Sequence, residues 1–114
     1  MPETPLHAIK CVPCEGGVPP LTREEAKKYS AQIDPDWHFI ADKKIFREFA
    51  FQDFKEAMEF TERVAAIAEE EGHHPEIHLI HNKLRLELTT HAIKGLSEND
   101  FVMAAKIDHI PMNA

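Results

Sequence analysis

Histidines are concentrated in one part of this chain. The sequence has eight histidines in 114 residues, and five of them lie between positions 73 and 91: His73, His74, His78, His81 and His91. Histidine has an unperturbed pKa of about 6.5, so it can both donate and accept a proton at cellular pH. Imidazole is also a common ligand of zinc and iron. The cluster therefore predicts either acid and base catalysis or a metal site.

Three carboxylates come directly before this cluster. Glu69, Glu70 and Glu71 occupy the last turn of a predicted helix, where the helix dipole disfavours negative charge. Residues that break a local rule often belong to a site, and a carboxylate beside an imidazole favours its protonated form. One glutamate directed at a histidine would be enough for this role, and the other two would then be a solvated surface.

The two cysteines form a C-x-x-C motif in a segment rich in proline and glycine. Cys11 and Cys14, with His7 upstream, have a spacing found in redox pairs and in parts of metal sites. A second pair of ligands is missing, and so is the strand-to-helix context of a thioredoxin-like motif. We therefore expect residues 1–20 to be a flexible extension with reduced cysteines and no regular structure. The folded domain is expected to span residues 21–114.

Capping signals mark two helices near the ends of the domain. Thr22 followed by Glu25 is a capping-box pattern, and it begins a helix that is predicted to end near Ser30. Ser97 is the predicted N-cap of the last helix, which has Asp100 at its third position and runs to about residue 107. Capping is the main role expected for Asp100.

The longest predicted helix leads into the histidine cluster. Over residues 52–71, apolar side chains recur at the three and four spacing of an amphipathic helix. Gly72 suits the left-handed residue that ends such a helix, and Pro75 favours an extended conformation for His74. This pattern places His73 and His74 at a junction between helix and strand.

Four strands complete the predicted domain, over residues 37–40, 44–51, 76–81 and 84–91, with a turn at residues 82–83 before the fourth. In the fourth, leucines alternate with charged residues, which is typical of a half-buried strand. If the last two strands pair as a hairpin, His91 at the end of the fourth returns to the junction of His73 and His74. The order helix, two strands, helix, two strands, helix predicts an α+β fold, a four-stranded antiparallel sheet with helices packed on one face.

Composition restricts the class of protein. The content of 43% apolar and 29% charged residues is typical of a globular chain, and the length suits one domain. A formal charge of −7 argues against direct binding of nucleic acid, which draws on a basic surface. No apolar run reaches the ~20 residues of a membrane span, and no secretory signal is evident. We expect a cytoplasmic protein.

The motifs together resemble the pterin-4a-carbinolamine dehydratases. The similarity extends over residues 21–108, and the segment that begins at Cys11 resembles the N-terminal extension of some members. The family pattern falls on Glu69, His73, His74, Pro75, Asn82, Thr90, His91, Gly95, Leu96, Ser97 and Asp100, with Trp37 also in place. The chain departs from it at Gly72, Ile77 and His81.

The resemblance implies an enzyme and its site. Such a dehydratase would eliminate water from 4a-hydroxytetrahydropterin without cofactor or metal, in tetrahydropterin recycling or a molybdopterin-related pathway. It implies His73 and His91 for proton transfer, with His74 binding and orienting the pterin. The implied substrate-binding residues are Gly72, His73, His74, Pro75, Thr89, Thr90, His91 and Ala92, with Glu69 and Asp100 supporting them. It also implies a homodimer or homotetramer.

Two alternatives remain open at this point. The clustered histidines could offer three imidazoles to a zinc or iron ion instead. The family resemblance also allows a non-catalytic interaction module, because some relatives act as dimerisation cofactors for a transcription factor. Such a module would be expected to expose an apolar surface for its partner.

Overall fold

The computed structural model describes residues 5–12, 16 and 18–111. In chain order the helices and strands are α1 (Arg23–Ser30), β1 (His38–Ile40), β2 (Lys44–Ala50), α2 (Phe54–Glu71), β3 (Glu76–Ile80), β4 (Lys83–Leu88) and α3 (Glu98–Asp108). Short 3₁₀ turns lie at Leu6–Ala8 and His91–Ile93. The order of helices and strands confirms the one predicted from the sequence.

The four strands form one antiparallel sheet in the order β1-β2-β4-β3. In the central strand β4, Leu84, Leu86 and Leu88 are at most 1% exposed, whereas Lys83 is exposed and Arg85 and Glu87 are half-buried. The alternation follows from the period of two in a strand, and both α2 and α3 contact the leucine side. The α+β class with helices on one face of the sheet is confirmed.

Helix α3 is the buried centre of the domain. Six of the seven residues from Phe101 to Ile107 are buried, and the helix contacts α1, α2 and β4. A helix that is apolar on nearly all sides belongs in a core rather than at a surface. In the part of the chain that the structure describes, no helix combines the length and apolar character needed to cross a membrane.

The ends of the helices form as the sequence predicts. Thr22 Oγ1 accepts a hydrogen bond from Glu25 N at 3.2 Å, and the Glu25 carboxylate accepts one from Thr22 N at 2.9 Å. Gly72 adopts the left-handed conformation with φ of 68° and ends α2. Helix α2 begins two residues later than predicted because the side chain of Asp53 caps it, accepting from Glu56 N at 2.8 Å.

Regular structure starts earlier than expected. We call residues 5–12 the N-terminal arm. It contains the 3₁₀ turn at Leu6–Ala8, and the side chains of Leu6 and Cys11 are buried. The expected absence of regular structure before Leu21 is therefore wrong for the described part of this segment, because these apolar side chains pack on α3. Cys14 lies outside the described residues, and the division of the chain at residue 21 stays a prediction.

The chain leaves the sheet before it reaches His91. Strand β4 ends at Leu88, and Thr90 and Gly95 then pair with each other through Thr90 N to Gly95 O at 2.9 Å and Gly95 N to Thr90 O at 3.4 Å. This bridge closes a loop that contains the 3₁₀ turn. The prediction that His91 ends a strand is wrong. The β3–β4 turn is also shifted by one residue, to His81 and Asn82, with His81 at a φ of 57°.

Candidate active site

Four segments meet around a cleft of about 540 Å³. They are the end of α2 with its following loop, the loop after β4, the N-terminal arm and the first turn of α3. Of the predicted substrate-binding residues, Gly72, His73, His74, Thr89, Thr90, His91 and Ala92 line the cleft, and Pro75 does not. The fold thus brings the two adjacent histidines and His91 to one cavity.

The side chain of His73 is held by Asp100. His73 Nε2 lies 2.7 Å from Asp100 Oδ1. The other oxygen, Oδ2, accepts hydrogen bonds from Thr90 Oγ1 at 2.8 Å and from Ser97 N at 2.9 Å. A carboxylate can only accept, so His73 Nε2 carries the hydrogen of this bond, and in the neutral form of the ring Nδ1 is then the acceptor.

Asp100 is therefore more than a helix cap. Its side chain is fully buried, and it bonds both to the backbone of Ser97 and to the ring of His73. The expectation that capping is its main role accounts for only part of these contacts. Sequence patterns recognise a cap because the cap is local, whereas the contact with His73 joins residues 27 positions apart.

One glutamate is directed at a histidine, as the sequence suggests, and this pair is Glu69 with His74. His74 Nε2 is hydrogen-bonded to Glu69 Oε2, and both side chains are mostly exposed. An exposed pair of this kind contributes little to stability. Glu70 is exposed, whereas Glu71 has a side chain only 5% exposed and is turned towards the N-terminal arm.

His91 lies at the start of the 3₁₀ turn His91–Ile93, in the loop that follows β4. Its side chain is exposed to the cleft, while Ile93 of the same turn is buried. The turn is fixed at its base by the pairing of Thr90 with Gly95 and by Thr89 Oγ1, which donates to Lys43 O at 2.7 Å. The loop therefore presents an imidazole without using that ring for its own structure.

A metal site formed by three cleft imidazoles is not assembled. Within residues 5–12, 16 and 18–111, the one group with metal-ligand spacing is Glu76, His78 and Glu87 on the outer face of the sheet. There Glu87 accepts a hydrogen bond from Arg85 Nε at 2.8 Å, which lowers the pKa of Glu87. Lys44 Nζ lies 3.6 Å from both carboxylates, so cations of the chain already neutralise this group.

Cys11 is a structural residue rather than a reactive one. Burial, followed by the negative charge of Glu71, raises the pKa of its thiol to about 12. The thiol is therefore neutral, and the thiolate is the form that attacks electrophiles and binds metals. The ring of His7 packs instead against the ring of His109, with centroids 3.7 Å apart.

Sequence reasoning missed five residues that line the cleft, namely Lys10, Cys11, Val12, Glu71 and Asn99. Three belong to the N-terminal arm, which has no periodic pattern to reveal where it packs. Among the departures from the family pattern, Gly72 lines the cleft, whereas Ile77 and His81 do not. Those two substitutions therefore lie outside the cavity within this chain.

The cleft can support general acid and base catalysis. His73 and His91 come from two separate segments and line the same cavity, and His73 carries a fixed hydrogen on the nitrogen that faces Asp100. Positioned proton transfer of this kind contributes about 10²–10⁴-fold in rate. The arrangement suits a substrate that must lose a proton from one atom and receive one on another.

Several known proteins are similar to this chain in sequence. The family model described as pterin 4 alpha carbinolamine dehydratase matches residues 19–110. A protein of Alkaliphilus metalliredigens, provisionally named a pterin-4-alpha-carbinolamine dehydratase, is 48% identical over 103 residues, which cover 90% of this chain and 93% of that protein. A relative of the same provisional name from Methylococcus capsulatus is 46% identical over 96% of both chains.

Two solved structures are similar as well. A transcriptional coactivator/pterin dehydratase from Brucella melitensis has a TM-score of 0.72 and 34% identity, covering 77% of this chain and 94% of that one. A pterin dehydratase-like protein described as a RuBisCO assembly factor in the alpha-carboxysome has a TM-score of 0.55 and 25% identity, covering 64% and 86%. The fold, the cleft and these similarities together show that the chain belongs to the pterin 4 alpha carbinolamine dehydratase family.

Proposed function

We propose that this protein is a hydro-lyase that eliminates water from 4a-hydroxytetrahydropterin. In this reaction the C4a–O bond breaks and the oxygen leaves as water with a proton from a general acid. N5 gives its proton to a general base, and the freed electron pair forms the double bond between N5 and C4a of quinonoid dihydropterin. The reaction needs one proton donor and one proton acceptor but no change of oxidation state.

The observation that carries this proposal is that His73 lines the same cleft as His91 while the buried Asp100 holds its ring. Because Asp100 holds the hydrogen on Nε2 of His73, the free Nδ1 suits the base that removes the N5 proton. His91 then donates the proton to the leaving oxygen. His74, held by Glu69, orients the pterin.

The size of the cleft supports a small-molecule substrate. Its volume of about 540 Å³ lies within the range of about 300–1,000 Å³ that is usual for ligand pockets. It includes polar backbone and side-chain groups from the loop at Thr89 and Thr90, which can fix the orientation of a bicyclic ring.

The test is a stopped-flow measurement of 4a-hydroxytetrahydropterin decay in the presence of a chelator. We expect the wild type to accelerate the decay and His73→Ala and His91→Ala each to lose most of that acceleration. His78→Ala is the matched control, because His78 is a histidine on the outer sheet face and does not line the cleft. Wild type without effect, or an effect abolished by the chelator, would overturn the proposal.

A homo-oligomer formed through the edge of the sheet is a second proposal. Within the described residues, strand β3 pairs only with β4, and Ile80 at its end is 73% exposed. An exposed edge strand with apolar side chains invites pairing with another strand. Light scattering should show a dimer or tetramer for the wild type and a smaller species for Ile80→Lys, and a wild-type monomer would contradict this.

A non-catalytic interaction module is the alternative function, and one of the similar solved structures supports it. The similarity to a RuBisCO assembly factor is the observation behind it. It predicts a wild type that leaves the decay of the hydroxypterin unchanged although the cleft is intact. The same stopped-flow experiment therefore separates this alternative from the dehydratase.

A further inference from the structure

The N-terminal arm forms one wall of the candidate active site. Lys10, Cys11 and Val12 line the cleft together with the histidines. Gly16, further along the same segment, also comes close to it, since a Cβ placed there would lie 3.3 Å from Ala92 O. Described residues of this segment thus meet the cleft at two of its borders.

The arm is held in place by buried polar side chains. The Asn99 amide accepts from Val12 N at 3.0 Å and donates to Val12 O at 2.6 Å, and Glu71 Oε1 accepts from Cys11 N at 2.8 Å. Asn99 is only 5% exposed, so its pairing with the backbone of the arm satisfies groups that would otherwise be buried without partners.

These clamping residues stand next to the catalytic machinery. Glu71 precedes His73 by two positions, and Asn99 directly precedes Asp100, which bonds the ring of His73. The arm is therefore positioned relative to His73 and Asp100 by the same helix ends that carry these two residues.

A second anchor fixes the start of the arm. Lys106 Nζ donates to His7 O at 2.9 Å and lies 3.7 Å from the Glu71 carboxylate. The side chain of Leu6 is buried against the domain. The arm is thus attached at both ends, and its residues at the cleft are held between these attachments.

Among the residues of the arm that line the cleft, Val12 is the one that is both apolar and exposed. Its side chain is 64% exposed although it is apolar, and it lies at the border of the cleft while its backbone is fixed by Asn99. A pterin is a flat bicycle with apolar faces, and contact with an apolar side chain would cover both surfaces.

We propose that Val12 is a specificity-determining residue, the apolar wall against which the pterin binds, so that the arm sets substrate affinity. This inference rests on the proposed dehydratase function. The reacting atoms lie with the histidines on other segments, so Val12 contributes to binding and not to proton transfer. The expected signature is a change in KM with an unchanged kcat.

The test compares full-length Val12→Ala and Val12→Asp with the wild type. Removing two methyl groups from a partly covered contact should raise KM about fivefold, and the aspartate should raise it further, with kcat within about twofold of wild type. Calorimetric titration with 7,8-dihydrobiopterin, a stable pterin, should show the same rise in Kd. Val18→Ala is the matched control, because Val18 is 58% exposed in the same segment and does not line the cleft.

The possible outcomes separate this inference from the proposed function. If the wild type turns over the substrate and all three variants have the same KM as the wild type, the role of Val12 is refuted while the dehydratase function stands. If the wild type is inactive yet binds dihydrobiopterin, the dehydratase function is refuted. The Kd values then test Val12 separately: a raised Kd in both Val12 variants supports its role in binding, and an unchanged Kd refutes it. A wild type that neither turns over nor binds a pterin overturns both.

Discussion

Replacing Asp100 by asparagine tests how the cleft orients its base. The two side chains have the same shape, so an asparagine can still accept from Ser97 N and Thr90 Oγ1 with one oxygen. Its amide nitrogen then faces His73 Nε2, where it can only donate. Nε2 must become the acceptor, the hydrogen moves to Nδ1, and the ring loses its capacity to take a proton from the substrate.

The magnitude follows from this change of tautomer. General base catalysis contributes about 10²–10⁴-fold, and an aspartate-to-asparagine exchange behind a catalytic histidine in another enzyme class costs about 10⁴-fold. We therefore expect Asp100→Asn to lower kcat by about 10²–10⁴-fold. Stability should fall by only about 1–2 kcal/mol, because the hydrogen bond to His73 reverses its direction without being lost, and the bonds from Thr90 and Ser97 then go to a neutral acceptor.

The assay is stopped-flow decay of 4a-hydroxytetrahydropterin, combined with urea unfolding of each variant. Thr22→Ala serves as the control, since it removes the cap of α1 for about 1 kcal/mol and Thr22 does not line the cleft. This control should be equally destabilised and fully active. An Asp100→Asn protein that folds and keeps its activity within twofold would refute the orientation of His73 by Asp100.

Three further predictions concern stability and are each measured by urea unfolding. Gly72→Ala should cost about 1 kcal/mol through its φ of 68° alone, since no atom lies within 4 Å of the added Cβ; an unchanged midpoint would contradict this. The pKa of the Cys11 thiol is 9.0 when the chain is unfolded and about 12 when it is folded. The stability that the buried neutral thiol contributes is therefore complete below pH 9 and is lost as the pH rises towards 12. Relative to Cys11→Ala, the wild type should therefore lose about 1 kcal/mol between pH 8 and pH 10, and parallel pH profiles would argue against a buried neutral thiol. Asp108→Ala removes the acceptor of hydrogen bonds from Trp37 Nε1 and from Arg47 Nη1, both at 2.7 Å. It should lower the free energy of unfolding by about 2–4 kcal/mol and alter the tryptophan fluorescence. A spectrum and an unfolding midpoint like those of the wild type would show that these two hydrogen bonds are dispensable.

Local patterns in the sequence were sufficient to predict the helices and strands. The capping box at Thr22, the left-handed Gly72 and the alternation in β4 each depend on residues within one turn or one strand. Such signals are read directly from spacing, because the backbone geometry of a helix or strand fixes which neighbours share a face. The family motif likewise placed His73 and His91 in one candidate site.

Long-range contacts had no such signal. The bond between His73 and Asp100 crosses 27 positions, and the one between Val12 and Asn99 crosses 87. Asp100 looked like a cap because its capping partner is three residues away. Polar groups far apart in sequence find each other only when packing buries them together and leaves each without water as an alternative partner.

The sequence by itself thus determined the α+β order, the helix ends and the histidines that could move protons. Only the tertiary structure decided that His91 sits on a turn outside the sheet, that Glu69 pairs with His74, and that the N-terminal arm closes one side of the cleft. The physical reason is that backbone periodicity is a local property, whereas the partner of a buried polar side chain depends on which surfaces the whole chain brings together.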